Sequence, residues 1–151
     1  MTLKQNIRSG RLTLGSWITL GHPAIAEIMA SVGFDWLAID LEHSVISLRE
    51  AQELIRAIEA AGGTPLVRLT SNHPDLAKRL LDAGARGVIV PMVSSAEQAR
   101  AAVEAVHYPP RGTRGVGLAR AQGYGNAFAE YLSKIEPELV IVAQIEHVDA
   151  V

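Results

Sequence analysis

Two carboxylates and an imidazole follow directly on a short apolar run in Trp36-Leu-Ala-Ile-Asp40-Leu-Glu42-His43-Ser44. Histidine titrates near neutrality, and a neighbouring carboxylate can fix its tautomer, so Asp40 and His43 together are suited to moving a proton. Three positions separate them, a distance that a turn at a strand end can close. The plain structural alternative is that Asp40 and Ser44 only turn the chain while Ser47 caps the next helix. Two further polar residues stand at the ends of apolar runs. Arg68 lies in Pro65-Leu-Val-Arg-Leu69, where an unpaired buried guanidinium would be costly. Glu146 follows Leu139-Val-Ile-Val-Ala-Gln-Ile145, with Gln144 two residues before it.

The elements that must hold these groups alternate. Leu12–Leu20 reads as a strand, followed by a helix that opens at Pro23 and closes at Gly33. After the Trp36–Ile39 strand, Ser47-Leu-Arg-Glu50 is a capping box, and Leu48, Ala51, Leu54, Ile55 and Ile58 repeat at helical spacing. Pro65–Leu69 and Gly87–Pro91 read as strands, each leading to a helix: Leu76, Leu80 and Leu81 line one, and Ser95 caps the other. The segment Arg111-Gly-Thr-Arg-Gly-Val-Gly-Leu-Ala-Arg120 reads as loop with one short strand near Val116, then a helix over Ala127–Ile135 and the strand before Glu146. Repeated β-α units with right-handed crossovers give a parallel sheet, open or closed into a barrel. Polar residues at several strand ends favour the barrel, where an eight-fold α/β barrel gathers its active site. Gly115-Val-Gly117 lacks the third glycine of a dinucleotide fingerprint. A whole (β/α)8 barrel takes about 250 residues, so 151 residues with six candidate strands read as one domain, an incomplete barrel of about six β/α units.

Composition narrows the function classes. Hydrophobic residues make up 48 % of the chain, aliphatic far ahead of aromatic, as suits a sheet covered by helices. The formal charge of −2 and the scattered Lys and Arg residues argue against nucleic acid. With no cysteine, thiolate metal sites and cysteine nucleophiles are excluded. No apolar run is long enough to span a bilayer and the first residues lack a signal-peptide core, so a soluble cytoplasmic protein is expected. Lys4, Lys78 and Lys134 sit away from strand ends, which disfavours Schiff-base chemistry. His22, His73, His107 and His147 read as loop or helix-start residues, Arg111 and Arg114 as braces of a loop or subunit contact, and Met29 and Met92 as core.

In order and spacing, Asp40-Leu-Glu-His43, Val67-Arg68, Val90-Pro-Met-Val93, Tyr108-Pro-Pro-Arg-Gly-Thr-Arg-Gly-Val-Gly117 and Gln144-Ile-Glu146 resemble the metal-dependent (class II) pyruvate aldolases of the hydroxy-oxo-acid aldolase / citrate lyase family. The resemblance implies a TIM barrel of the phosphoenolpyruvate/pyruvate-binding type, assembled as a homo-oligomer, a hexamer in the family. It implies reversible cleavage of a 4-hydroxy-2-oxo acid to pyruvate and an aldehyde with a divalent cation, Mg2+, Mn2+ or Co2+. By the same resemblance Glu146 is a metal ligand, Gln144 lines the site and Arg68 meets the pyruvate carbonyl oxygen. His43 moves the proton, Asp40 orients it, Arg120 lies near the aldehyde, and Glu42 stands behind the dyad. The family's second metal carboxylate would lie beyond Val151.

That chemistry suits these groups. A carbanion beside a carbonyl needs its charge dispersed, and a hard cation on the carbonyl and carboxylate oxygens of pyruvate does so. Carboxylate ligands favour Mg2+ or Mn2+, and a guanidinium aimed at the same oxygen is worth on the order of 10²–10³ in rate. Two other readings stand beside it. One is a carbon–carbon lyase acting on acyl-CoA esters, disfavoured by the lack of a basic cluster for the CoA phosphates. The other is a non-catalytic barrel fragment that serves only in assembly.

Overall fold

The computed structural model describes residues 1–151 and contains one five-stranded parallel sheet. The strands are β1 (Gly15–Ile18), β2 (Trp36–Asp40), β3 (Thr64–Arg68), β4 (Gly87–Val90) and β5 (Val140–Ala143). The helices are α1 (Leu3–Arg8), α2 (Pro23–Ser31), α3 (Leu48–Ala60), α4 (Pro74–Ala83), α5 (Ala96–Val106) and the short α6 (Phe128–Glu130), which runs into a π-helical turn over Tyr131–Ile135. The strand order is β1-β2-β3-β4-β5, each strand beside its sequence neighbour. A doubly wound sheet reverses its order at a switch point, whereas a barrel adds strands in sequence. The sheet is therefore an arc of a (β/α) barrel, with five strands rather than the six expected. No helix is long and apolar enough to cross a membrane.

The missing strand is the one expected near Val116. Three glycines at 112, 115 and 117 interrupt the apolar run, and Val116 is 58 % exposed. Arg114 anchors the segment instead: its guanidinium donates to Tyr131 Oη (2.8 Å) and Asp82 Oδ1 (2.7 Å), and it stacks 4.6 Å from the Tyr108 ring centroid. A buried, paired arginine fixes the segment as a strap over α4, so it gains no ladder bonds.

Strand parity sorts the side chains. Ile18, Leu37, Ile39, Val67, Val88 and Val90 point outward into a cluster with Leu54, Ile55, Ile58, Leu80 and Leu81 from the helices. Ala38, Leu66, Ile89 and Val140 point inward and form a second cluster, closed at the amino-terminal end by Leu3 of α1. Truncating a buried leucine of this kind costs about 2–5 kcal/mol, so the two-faced sheet is strongly specified. Short, well-capped connections then set the strand ends. Ser47 Oγ accepts from Glu50 N–H (3.3 Å) while Glu50 Oε2 accepts from Ser47 N–H (2.7 Å), fixing where α3 begins after the β2 loop. Gly84, at φ +111°, takes the left-handed turn that ends α4.

Candidate active site

Alternation carries the inward face of β2 from Ala38 to Asp40 and that of β3 from Leu66 to Arg68, and the register pairs Asp40 with Arg68. A carboxylate and a guanidinium thus meet at the carboxyl-terminal mouth of the arc, above a wholly apolar interior. Arg68 donates Nε–H to Asp40 Oδ1 (2.9 Å) and Nη2–H to Oδ2 (2.6 Å), a bidentate pair. Asp40 is 2 % exposed. Burial pushes its carboxyl up, but Arg68 and the backbone N–H groups of His43 and Glu42 outweigh that and hold it below the usual carboxylate range. The same hydrogen bond, with the charges of Asp40, Glu42 and Glu146, raises the Arg68 guanidinium against its desolvation. Arg68 stays cationic at any relevant pH.

Asp40 Oδ1 also accepts from the backbone N–H of Glu42 (3.0 Å) and His43 (3.2 Å), while the Ser44 hydroxyl donates to the Asp40 carbonyl. These bonds wind residues 41–44 into a tight turn that carries Glu42 and His43 over the mouth. Asp40 holds His43 here through the backbone. Its carboxylate holds the His43 backbone and Arg68, not the imidazole, because the register-paired guanidinium and two N–H groups claim it first. The carboxylate beside the imidazole is Glu42, with Oε2 3.8 Å from His43 Nε2 and 3.5 Å from Arg68 Nε. His43 is the exposed member, its side chain 71 % accessible.

The β4 and β5 ends complete the rim. Gln144 N–H donates to Val90 O (2.9 Å) and Val93 N–H to Gln144 O (3.0 Å), so Pro91 and Met92 bulge between two ladder bonds. Met92 sits at φ +53° and is 52 % exposed, so it is not the core residue expected. Its N–H faces Glu146 Oε1 at 3.4 Å. Gln144 Oε1 is buried with no hydrogen-bond donor. Under Arg68, the Trp17 ring lies 4.5 Å from the guanidinium carbon, a cation–π contact the sequence reading missed. Its only signal there was the position of Trp17 in β1, next to β2.

Arg120 lies elsewhere. It donates to Glu59 Oε2 (2.7 Å) and to Ala83 O (3.1 Å), at the ends of α3 and α4 that lead into the starts of β3 and β4. That is the amino-terminal face, where Arg120 lines a cavity of about 260 Å³ with Glu59, Gly84 and Arg86. The expected aldehyde contact is corrected accordingly: local spacing placed Arg120 in a loop without showing which end of the barrel the loop covers. His107, in the bend that follows α5, is a loop residue as expected but a buried one, its Nδ1 2.5 Å from Glu136 Oε1. His22, His73 and His147 do cap helix starts.

No three His, Asp or Glu side chains converge closely enough to enclose an ion by themselves. What the mouth offers is oxygen: the Glu146 carboxylate and the orphaned Gln144 Oε1. This donor set fits a hard divalent cation rather than a thiophilic one.

A profile of the HpcH/HpaI aldolase/citrate lyase family matches residues 13–151. A hydroxypyruvate/pyruvate aldolase from Pseudomonas aeruginosa is 43 % identical over 97 % of this chain and 55 % of its own length. A 4-hydroxy-2-oxovalerate aldolase from Novosphingobium aromaticivorans is 42 % identical over 99 % of this chain and 57 % of its own. Among solved structures, an HpcH/HpaI aldolase/citrate lyase family protein from Burkholderia cenocepacia J2315 superimposes with a TM-score of 0.90 at 36 % identity, covering 98 % of this chain and 60 % of that one. The citrate synthase SbnG gives a TM-score of 0.84 at 31 % identity, covering 98 % and 57 %. The chain spans little more than half the length of these relatives. Within that span the likeness takes in the whole arc and every strand end at its mouth: the chain belongs to the HpcH/HpaI aldolase/citrate lyase family.

Proposed function

We propose that the protein to which this chain belongs is a class II pyruvate aldolase, cleaving a 4-hydroxy-2-oxo acid reversibly to pyruvate and an aldehyde. The observation that carries the reading is the convergence of Asp40, Glu42, His43 and Arg68 on one end of an apolar arc, with Glu146 close enough to act on the Arg68 charge. Homology to named aldolases supports the reaction class. Glu146, with Gln144 beside it, would hold a divalent cation of the Mg2+, Mn2+ or Co2+ type. Such an ion supplies a Lewis acid to the carbonyl and carboxylate oxygens of the 2-oxo acid.

The chain's own residues do the rest. Asp40 locks Arg68 by its Nε and Nη2, leaving Nη1 to donate to the substrate carbonyl oxygen as negative charge grows there. The Trp17 ring supports the guanidinium from one face and shields that side from water. His43, held over the mouth by its N–H bond to Asp40, takes the proton from the carbon next to the carbonyl and gives it to the arriving aldehyde oxygen in condensation; in cleavage it takes the hydroxyl proton as the aldehyde departs and gives it to that carbon. Exposed apolar side chains at Leu12, Leu14, Ile28 and Val32 support burial against more protein, in keeping with a homo-oligomer.

Pyruvate with Mn2+ in D2O tests the proposal. Its methyl proton signal should disappear with enzyme, about 10²–10³ more slowly for Arg68→Met. A protein that binds the ion and exchanges nothing is not a pyruvate aldolase. The likeness to SbnG supports a second reading, condensation to a citrate-type acid, and a panel of CoA esters and citrate in the same assay separates the two.

A further inference from the structure

At the amino-terminal face, away from the mouth, Glu59 of α3 lies between two guanidiniums. Arg86, at the entry to β4, donates Nε–H (3.0 Å) and Nη2–H (2.8 Å) to Glu59 Oε1, and Arg120 donates Nη2–H to Oε2 (2.7 Å). Two cations against a single carboxylate leave positive charge in excess, and all three side chains are partly buried, so water and salt screen that excess less than on an open surface. Donors are left over as well. Arg120 Nη1 is taken by the Ala83 carbonyl, but Arg120 Nε and Arg86 Nη1 have no partner within the chain, and neither is sealed from solvent. Both side chains border the cavity of about 260 Å³, whose other walls are chiefly Gly84, Ala85, Ala121, Gly123 and Ala127, with no carboxylate besides Glu59. Glycine keeps the cleft built this way: a Cβ on Gly84 would lie 2.2 Å from Arg120 Nη1.

We propose that this cleft binds a phosphate group, held by Arg86 and Arg120 beside Glu59. The excess positive charge favours an anion over a neutral ligand. The place these guanidiniums offer a planar carboxylate is already filled by Glu59. What remains are N–H groups on two separate guanidinium planes. A tetrahedral anion presents oxygens to both, whereas a second carboxylate presents its pair in one plane. The neighbouring cavity of about 340 Å³ shares Glu59, Arg86 and Ile135 with this one, which gives the organic part of a phosphate monoester room. Arg68 closes β3 while Arg86 precedes β4, so the two arginines stand at opposite ends of the sheet, and the phosphate site does not rest on the aldolase reading.

The test titrates the protein, without added metal and at constant ionic strength in chloride, with inorganic phosphate in one arm and glycerol phosphate in the other. Calorimetry gives the affinity, and the ¹⁵N–¹H signals of the arginine Nε–H groups give the place. Saturable binding in the millimolar range or tighter is expected, with the Arg86 and Arg120 signals moving. Arg86→Gln should weaken it at least about tenfold, the loss expected for one charge-assisted hydrogen bond. Ala127→Glu puts a carboxylate into the cleft without removing either ion pair and should abolish binding, which keeps the test decisive if Arg86→Gln does not fold. Arg68→Met should bind phosphate as wild type does. Saturation in either arm supports the site, and the arm that saturates at the lower concentration tells free phosphate from an ester. No saturation in either arm, an affinity unchanged by Ala127→Glu, or binding lost in Arg68→Met instead overturns it.

Discussion

Replacing Arg68 by Met keeps much of the side-chain volume and removes the charge, which isolates the partner it leaves behind. Asp40 is 2 % exposed, so its carboxylate would be stranded with two backbone N–H groups and no cation. Removing one member of a buried pair costs about 3–5 kcal/mol, and the two remaining N–H bonds place this case near the lower end, at about 3 kcal/mol. In a chain of 151 residues that corresponds to a fall in Tm of about 6–12 °C. Asp40→Asn should cost less, about 1–2 kcal/mol, since a neutral acceptor still serves both N–H groups. The double variant should then be more stable than the sum of the singles by about 2 kcal/mol, a coupling that only interacting neighbours show. The pH dependence has a definite sign. Asp40 is held below its ordinary value in the folded chain, so its contribution is full above the unfolded pKa of about 4 and is lost as pH falls through the folded value. Arg68→Met removes the group that lowers it, so the gap between wild type and variant should narrow in acid. Urea unfolding of the four proteins at neutral and acid pH measures both effects. Additivity within about 0.5 kcal/mol, with a gap independent of pH, would refute the pairing as the support of the site.

Two further outcomes follow from the positions of single residues. Arg120→Ala should leave the pyruvate KM unchanged while lowering the urea midpoint, because Arg120 ties Glu59 to the Ala83 carbonyl at the amino-terminal face; a raised KM with unchanged stability would return it to the substrate site. At Met92, φ of +53° is strained for a side chain and natural for glycine. Met92→Gly should be neutral or stabilising by up to about 1 kcal/mol, and Met92→Val destabilising by about 1–2 kcal/mol, as read from denaturation midpoints.

Much of the scaffold was legible because local signals and tertiary packing agree. The Ser47–Glu50 capping box begins α3 where the sequence places it, Gly84 ends α4, and the Trp36–Asp40 run is buried on both faces of the sheet. Helix α1 was not legible: six residues are too few to be stable alone, and Leu3 holds it by closing the inner cluster. Val116 misled because a short β-branched run resembles a strand whether or not a neighbour is free to pair with it. Arg68 was readable as an anomaly, a charge in a strand, but its partner was not, since the pairing with Asp40 depends on β2–β3 register. The three-residue spacing of Asp40 and His43 suggested a dyad, yet spacing cannot show that the turn would present the backbone of His43 and not its ring. The orientation of Met92 toward Glu146 depends on a bulge between β4 and β5 and has no local sequence signature.

On the proposed reading, one end of this arc holds a three-carbon 2-oxo acid among Arg68, His43 and Glu146. The most direct test is a crystal structure of the protein grown with Mn2+ and pyruvate. Pyruvate is expected at the carboxyl-terminal mouth, with its oxygens against Arg68 and the ion at Glu146. Pyruvate bound instead at the amino-terminal face, in the cavity of about 340 Å³ beside Glu59, Arg86 and Glu138, with Arg68 still closed on Asp40 and untouched, would contradict it.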